Sequence, residues 1–205
     1  MLHAIRKKIK QIVKARTYLT PLSKQNIFLV DRLSRLFEKI KDVEGAVVEC
    51  GVYKGKGLSV LSSLAKIQKK PVYGFDSFKG FAWQGREWFD DTSLEKVRRF
   101  MKKNKFNNTE LVEGYFKDIL PVWKDRIGAI AFLVIDADLY DSYTCCLDNL
   151  WGNVARGGIV LFDEYDSSAD RKTWWAPKKA IDEFCAKNKV VLQRDEVSGK
   201  VYVIK

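Results

Sequence analysis

Short apolar runs alternate with stretches of helical periodicity along most of this chain, and few folds accommodate that order. The apolar runs predict strands at 46–50, 72–76, 109–114, 129–138 and 157–165. Helical spacing of apolar residues predicts helices at 23–41, 57–69, 93–104, 142–151 and 176–188. Strands that alternate with helices form a mostly parallel, doubly wound α/β sheet, and residues 190–205 predict an antiparallel hairpin at its edge.

A glycine-rich turn, Glu49-x-Gly51-x-x-x-Gly55-x-Gly57, follows the first predicted strand. Glycines let the backbone turn tightly and let a ligand approach it closely, and a glutamate at the strand end can hold an ammonium or a hydroxyl group. Asp76 ends the second strand, where an acidic residue can accept hydrogen bonds from a ribose diol. Together the two motifs favour a nucleoside-type ligand, although each alone also fits an ordinary turn or cap.

Two pairs of acidic residues follow the fourth and fifth predicted strands. Asp136 and Asp138 close the fourth, and Asp163 and Glu164 close the fifth. If these strands are neighbours, the carboxylates converge and repel one another, which a hard divalent cation such as Mg²⁺ would relieve. The alternative is that they cap helices or pair with nearby lysines and arginines.

The net charge of +11 is unevenly distributed. Residues 1–30 hold seven lysines and arginines and no acid, whereas the remaining 175 residues hold 30 basic and 26 acidic groups. We therefore expect a basic helical appendage at 1–21 and one domain at 22–205. The bulk charge motivates an RNA methyltransferase as one hypothesis, but no RNA-binding signature is visible and no nucleic-acid partner is expected.

The cysteine and histidine content limits which disulfides and which acid–base groups the chain can use. None of the four cysteines forms a C-x-x-C pair, which favours a reducing, cytoplasmic compartment over a disulfide framework. His3 is the only histidine and lies in the basic segment, so acid–base work in the core must come from Asp, Glu, Lys, Tyr or a metal. No run of about 18 apolar residues predicts a membrane span, and the start lacks the apolar stretch of a secretory signal.

Five blocks of the chain, in order, resemble the macrocin O-methyltransferase family of sugar O-methyltransferases. They are VVECGVYKGKGLSVL, VYGFDSFKGF, LVEGYFKDILP, VIDADLYDSY and GGIVLFDEY, within roughly residues 22–188. The resemblance implies a class I methyltransferase fold with a seven-stranded sheet and helices on both faces. It also implies Mg²⁺-dependent methyl transfer from S-adenosyl-L-methionine to a sugar hydroxyl, with S-adenosyl-L-homocysteine as product.

The resemblance assigns residues as well. The implied cofactor-binding residues, running from the methionine end to the adenine end, are Glu49, Gly51, Tyr53, Gly55, Asp76, Ser77, Phe78, Glu113, Gly114, Tyr115 and Phe116, together with Asp136. The implied metal ligands are Asp136, Asp163 and Glu164. The family often has Asp-Asp where this chain has Asp163-Glu164, which changes the reach of the second ligand by one methylene.

A sugar hydroxyl is a poor nucleophile, and a chelating cation would lower its pKa. We expect Asp138 to remove the proton, with Asp136 as the second catalytic carboxylate. The expected acceptor contacts are Trp83, Trp88, Tyr140, Trp174 and Trp175, whose alternative is packing on the domain or against a second subunit. A sugar or glycoside is the expected acceptor, and a catechol-like small molecule is the alternative. A homodimer and membership of a longer glycan-synthesis protein are further expectations.

Overall fold

A seven-stranded sheet with helices on both faces forms the centre of the protein. The computed structural model describes residues 24–83, 86–166 and 176–205. The helices are α1 (Lys24–Lys39), α2 (Lys56–Ile67), α3 (Leu94–Lys103), α4 (Phe116–Ile127), α5 (Tyr140–Leu150) and α6 (Ala176–Asn188). The strands are β1 (Ala46–Cys50), β2 (Val72–Asp76), β3 (Phe81–Trp83), β4 (Arg86–Trp88), β5 (Thr109–Glu113), β6 (Ile130–Ile135), β7 (Val154–Phe162), β8 (Gln193–Arg194) and β9 (Val201–Ile204).

The strand order in the large sheet is β5-β2-β1-β6-β7-β9-β8. The pairs from β5 to β7 are parallel, and β9 runs antiparallel to both β7 and β8. This confirms the predicted mostly parallel sheet with a C-terminal antiparallel hairpin. Two elements were not predicted: helix α4, which contains Pro121, and the small antiparallel pair β3–β4. Pro121 lacks the N–H that a helix interior uses, so its presence argues locally against a helix.

Each face of the sheet carries its own apolar core. Helices α1, α2 and α3 cover one face, where Phe37 packs against Phe132 of β6 with ring centroids 4.9 Å apart. Helices α4, α5 and α6 cover the other, where Leu147 and Ile181 join Leu133 in one buried cluster. Successive residues of a strand point to opposite faces, so β6 is buried along its whole length because both faces are covered.

The chain reverses its direction of travel across the sheet between β1 and β6. From β1 it proceeds through β2 to β5 on one side, and from β6 it proceeds to β7 on the other. Such a switch point opens a crevice outside the carboxyl ends of the strands, which is where open α/β sheets bind ligands. The glycine turn after β1 and the acidic residues after β6 therefore flank the same crevice.

Three further expectations concern the chain as a whole. Within the described ranges, no helix combines the length and the apolar character that crossing a bilayer requires. All four cysteines are free thiols. The basic segment 1–21 lies outside the described residues, so its separation from a domain at 22–205 stays a prediction.

Candidate active site

A cleft of about 670 Å³ lies at the carboxyl ends of β1, β2, β5 and β6. Many of the residues singled out in the sequence line it: Glu49, Gly51, Tyr53, Asp76, Ser77, Gly114, Tyr115, Phe116, Asp136 and Asp138. The predicted cofactor and metal residues that do not line it are Gly55, Phe78, Glu113, Asp163 and Glu164. Gly55 is the N-cap residue of α2 and faces α3, and Phe78 is buried in the core. The cleft also includes Phe81 of β3, Phe89 directly after β4, and Lys56 at the start of α2.

Asp76 ties the glycine turn to the end of β2. Its Oδ2 accepts hydrogen bonds from the backbone N–H groups of Val52 and Tyr53, both at 2.7 Å, and its Oδ1 accepts one from the N–H of Phe78 at 2.6 Å. An ionised carboxylate has about four lone-pair sites. Three backbone bonds leave room for one more donor, so this carboxylate supports the wall of the cleft and can still receive a ligand hydroxyl.

Glu49 is a buried carboxylate that borders the cleft. Its side chain is 4% exposed, and its Oε2 has no hydrogen-bond partner among the described residues. Burial, followed by the nearby charges of Asp136 and Asp163, raises the pKa of Glu49 well above its ordinary value. A Cβ at Gly57 would lie 2.4 Å from Glu49 Oε1, so glycine at that position leaves space for the carboxylate. An unpaired buried acceptor at a cleft indicates a place for a ligand donor.

Three carboxylates meet where β6 and β7 end. Asp136, Asp138 and Glu164 each offer an oxygen, and these oxygens lie within 4.8 Å of one another. Asp163, predicted with them, is not in this group, and its Oδ1 pairs with Lys200 Nζ at 2.9 Å. Hard oxygen donors at this spacing suit Mg²⁺ or a similar cation.

Burial raises the proton affinity of these carboxylates, although the hydrogen bond between Glu164 and Asp136 acts to lower the pKa of Asp136. Burial, with smaller contributions from neighbouring acids, raises the pKa of Asp136 to about 6 and that of Asp138 to about 7. Burial and the charge of Asp136 raise the pKa of Glu164 well above its ordinary value. The group therefore holds protons at pH values where exposed carboxylates are ionised, and a bound cation would compete with those protons.

We expect the metal-free protein to lose stability as the pH rises from about 4 to about 7. The pKa of Asp138 is about 7 in the folded chain, against about 3.9 for an unperturbed aspartate. Stability from its protonation is complete below the unfolded pKa and is lost as the pH passes the folded pKa. Thermal unfolding with and without Mg²⁺ checks this: Mg²⁺ should raise Tm by several degrees more at about pH 8 than at about pH 5.5. An equal rise at both pH values would contradict the expectation.

The residues predicted to contact an acceptor are spread along the chain. Trp88 in β4 packs against Phe89, with ring centroids 6.4 Å apart. The Tyr140 hydroxyl at the start of α5 donates to Glu183 Oε2 at 2.5 Å, so α6 already holds it. Trp83 belongs to β3, while Trp174 and Trp175 lie outside the described residues.

The structure also joins the β3–β4 pair to the glycine turn through Asp91. The Tyr53 hydroxyl donates to Asp91 Oδ1 at 2.6 Å, and Lys54 Nζ forms an ion pair with Asp91 Oδ2. These bonds, led by the one from Lys54, lower the pKa of Asp91. The Tyr53 ring also meets Phe89 edge to face at 5.0 Å. Sequence reasoning missed Asp91, because nothing local indicates its contact with a turn 38 residues away.

Known proteins are similar to this chain in both sequence and fold. The chain is 28% identical to demethyldecarbamoylnovobiocin O-methyltransferase of Streptomyces niveus, over 82% of this chain and 70% of that protein. It is also 28% identical to the 8-demethyl-8-(2,3-dimethoxy-alpha-L-rhamnosyl)-tetracenomycin-C 4'-O-methyltransferase of Streptomyces olivaceus, over 63% of this chain and 56% of that protein. The solved structure of the O-methyltransferase NovP superposes with a TM-score of 0.73 at 26% identity, covering 87% of this chain and 80% of that one.

The doubly wound sheet, its cleft at the switch point and these relatives define an enzyme of the O-methyltransferase class. The family model of macrocin-O-methyltransferase (TylF) matches residues 29–199. The chain belongs to that family, which confirms the resemblance carried by the five sequence blocks.

Proposed function

We propose that the chain transfers a methyl group from S-adenosyl-L-methionine to a hydroxyl of a sugar or glycoside, with Mg²⁺ or a similar cation bound. The observation that carries this proposal is one cleft that joins the unpaired Glu49 carboxylate to Asp136 and Asp138, the two members of the acidic group that line it. A cationic, nucleoside-containing cofactor suits the first, and a hydroxyl-binding cation suits the second. The relative whose name specifies a rhamnosyl 4'-O-methyl transfer supports a sugar as acceptor.

At the cofactor side of the cleft, Glu49 would accept the α-ammonium group of the methionine moiety. The N-terminus of α2 lies in the same turn and carries no acidic residue in its first turn and no side-chain cap. Free N–H groups at a helix start favour an anion, so the α-carboxylate of the cofactor would lie there. Asp76 would receive a ribose hydroxyl, with Ser77 beside the adenosine and the block from Gly114 to Phe116 near the adenine.

At the metal side, Asp136 and Glu164 would hold the cation from the ends of two adjacent strands. Asp163 would supply the third carboxylate from the same loop as Glu164. Its charge contributes to the raised pKa of Asp136, Asp138 and Glu164, which places it within electrostatic reach of all three. To bind the cation, Asp163 would exchange its pairing with Lys200.

The cation, when bound, supplies orientation of neighbouring hydroxyls and a lower pKa for one of them. Asp138 then accepts the proton from the attacking hydroxyl oxygen. Asp138 lines the cleft beside the proposed ligands Asp136 and Glu164, which is the position that a general base for a cation-bound hydroxyl needs. The cleft walls hold the oxygen in line with the methyl carbon, and such alignment supplies a large share of the rate.

A panel of acceptors with metal control tests the proposal. We expect methyl transfer to glycosides in Mg²⁺, and its loss when EDTA removes the cation and return when Mg²⁺ is added back. Transfer to catechols with none to glycosides would replace the sugar by a catechol-like acceptor. Full activity in EDTA would overturn the metal role, and transfer only to RNA would overturn the proposal as a whole.

A further inference from the structure

Tyr143 is a completely buried phenol beside the acidic group. It lies on α5, shortly after the loop that carries Asp136 and Asp138, and its ring packs in the apolar cluster under α4, α5 and α6. Its hydroxyl contacts the carbonyl of Ile135 at 2.8 Å and also Glu164 Oε2. One side chain therefore connects the end of β6 to the acidic residue that follows β7.

The neighbouring acceptors determine which of them receives the hydrogen bond of the Tyr143 hydroxyl. Tyr143 has one O–H to donate and two acceptors within reach. The carbonyl of Ile135 already accepts the N–H of Asp163 at 3.1 Å, so it stays satisfied without the phenol. A carboxylate that binds a cation is ionised and can only accept, so the Tyr143 hydroxyl donates its hydrogen bond to Glu164 Oε2.

We propose that Tyr143 is a positioning residue that orients Glu164 for a divalent cation, an inference that rests on the proposed metal site. Glutamate has one more rotatable bond than aspartate, and fixing that bond costs conformational entropy when a metal binds. A buried donor on Oε2 fixes the carboxylate beforehand and leaves Oε1 for the cation. Partners that orient a ligand in this way typically change metal affinity by about 10–100-fold when removed.

Binding of Mg²⁺ to the full chain, measured by calorimetry without cofactor or acceptor, tests this role directly. Tyr143→Phe keeps the ring and its packing and removes only the hydroxyl. We expect Mg²⁺ affinity to fall by about 10–100-fold. Tyr73→Phe is the matched control, because Tyr73 packs against the same apolar cluster but lies on β2, which β1 and β6 separate from β7, and meets Trp123 at 6.2 Å. Its Mg²⁺ affinity should equal that of the wild type.

A double-mutant cycle separates positioning from a general structural effect. On a Glu164→Gln background there is no carboxylate left to orient, so adding Tyr143→Phe should change Mg²⁺ affinity no further. Glu164→Asp breaks the same contact from the carboxylate side, because the shorter side chain lies farther from the intact Tyr143 hydroxyl. It should lower Mg²⁺ affinity by a similar factor. It keeps the test valid if Tyr143→Phe fails to fold.

Each outcome has a distinct meaning. Wild-type affinity in Tyr143→Phe, with or without a lower Tm, would overturn the positioning role while leaving the proposed metal site intact. Equal losses from Tyr143→Phe on the wild-type and Glu164→Gln backgrounds would also overturn it, because the effect would not pass through Glu164. Absence of Mg²⁺ or Mn²⁺ binding to the wild-type chain would overturn both this inference and the metal part of the proposed function.

Discussion

Replacing Asp138 by asparagine is expected to lower the rate of methyl transfer by about 10²–10⁴-fold, the usual contribution of a general base. Asparagine keeps the size of the side chain and removes only its ability to accept the hydroxyl proton. Because we propose Asp138 as the base and not as a ligand, Asp138→Asn should still bind Mg²⁺, and more tightly than a variant that lacks one of the proposed ligands. Steady-state rates check the expected loss of activity, and calorimetric Mg²⁺ titrations of the same preparation check the expected affinity.

Asp163→Asn is the matched comparison for Asp138→Asn, since it makes the same chemical change at the residue that we propose as the third ligand. If Asp163 exchanges its pairing with Lys200 for the cation, Asp163→Asn should lower Mg²⁺ affinity by at least about tenfold. The reverse pattern, in which Asp138→Asn abolishes Mg²⁺ binding and Asp163→Asn does not, would contradict our assignment. It would make Asp138 the third ligand, as its place in the group with Asp136 and Glu164 allows.

The sequence was informative where function depends on residues close together in the chain. The apolar run of β6 ends directly before Asp136 and Asp138, so a single stretch of sequence predicted both the strand and the acidic residues. The alternation of strands and helices then implied that the ends of β1, β2, β6 and β7 share one edge of the sheet. The switch point at β1 and β6 confirms that placement of the glycine turn beside the acidic loop.

Contacts between distant segments could not be predicted in this way. The pairing of Asp163 with Lys200 joins residues 37 apart, and the Asp91 contact with Tyr53 joins residues 38 apart. Tyr143 has the local pattern of an ordinary buried residue of a helix, and only the packing of α5 beneath β7 brings it to Glu164. In each case the partner is fixed by tertiary packing and not by local propensity, which leaves no local signal.

Helix α4 was not predicted, and its sequence contains a residue that argues locally against a helix. Pro121 lies inside α4, which is amphipathic enough to cover the sheet with Leu120 and Ile127. Burial of that apolar face outweighs the lost N–H bond, so tertiary packing overrides a residue that usually ends helices.

Gly51 is the position at which a single methyl group should do the most damage to the fold. A Cβ there would lie 1.7 Å from the carbonyl oxygen of Asp136, and the backbone of Gly51 has φ +97°. The obstructing atom is backbone, so no side-chain rotation relieves the clash. Overpacking and a strained φ each cost about 1–3 kcal/mol, so we expect Gly51→Ala to lower the free energy of unfolding by about 3 kcal/mol or more.

Gly152→Ala is the control for Gly51→Ala, because a Cβ at Gly152 meets nothing within 4 Å. Denaturant unfolding of both variants should show a large loss for Gly51 and little change for Gly152. The consequence extends to function, since the Cys50 carbonyl accepts the N–H of Asp136 at 2.9 Å and thereby holds β1 against the acidic loop. Separating β1 from the acidic loop moves Glu49 away from Asp136. Any folded Gly51→Ala protein should therefore bind both cofactor and Mg²⁺ more weakly. Wild-type stability together with wild-type Mg²⁺ affinity in Gly51→Ala would show that the close approach of β1 and β6 does not join the two halves of the site.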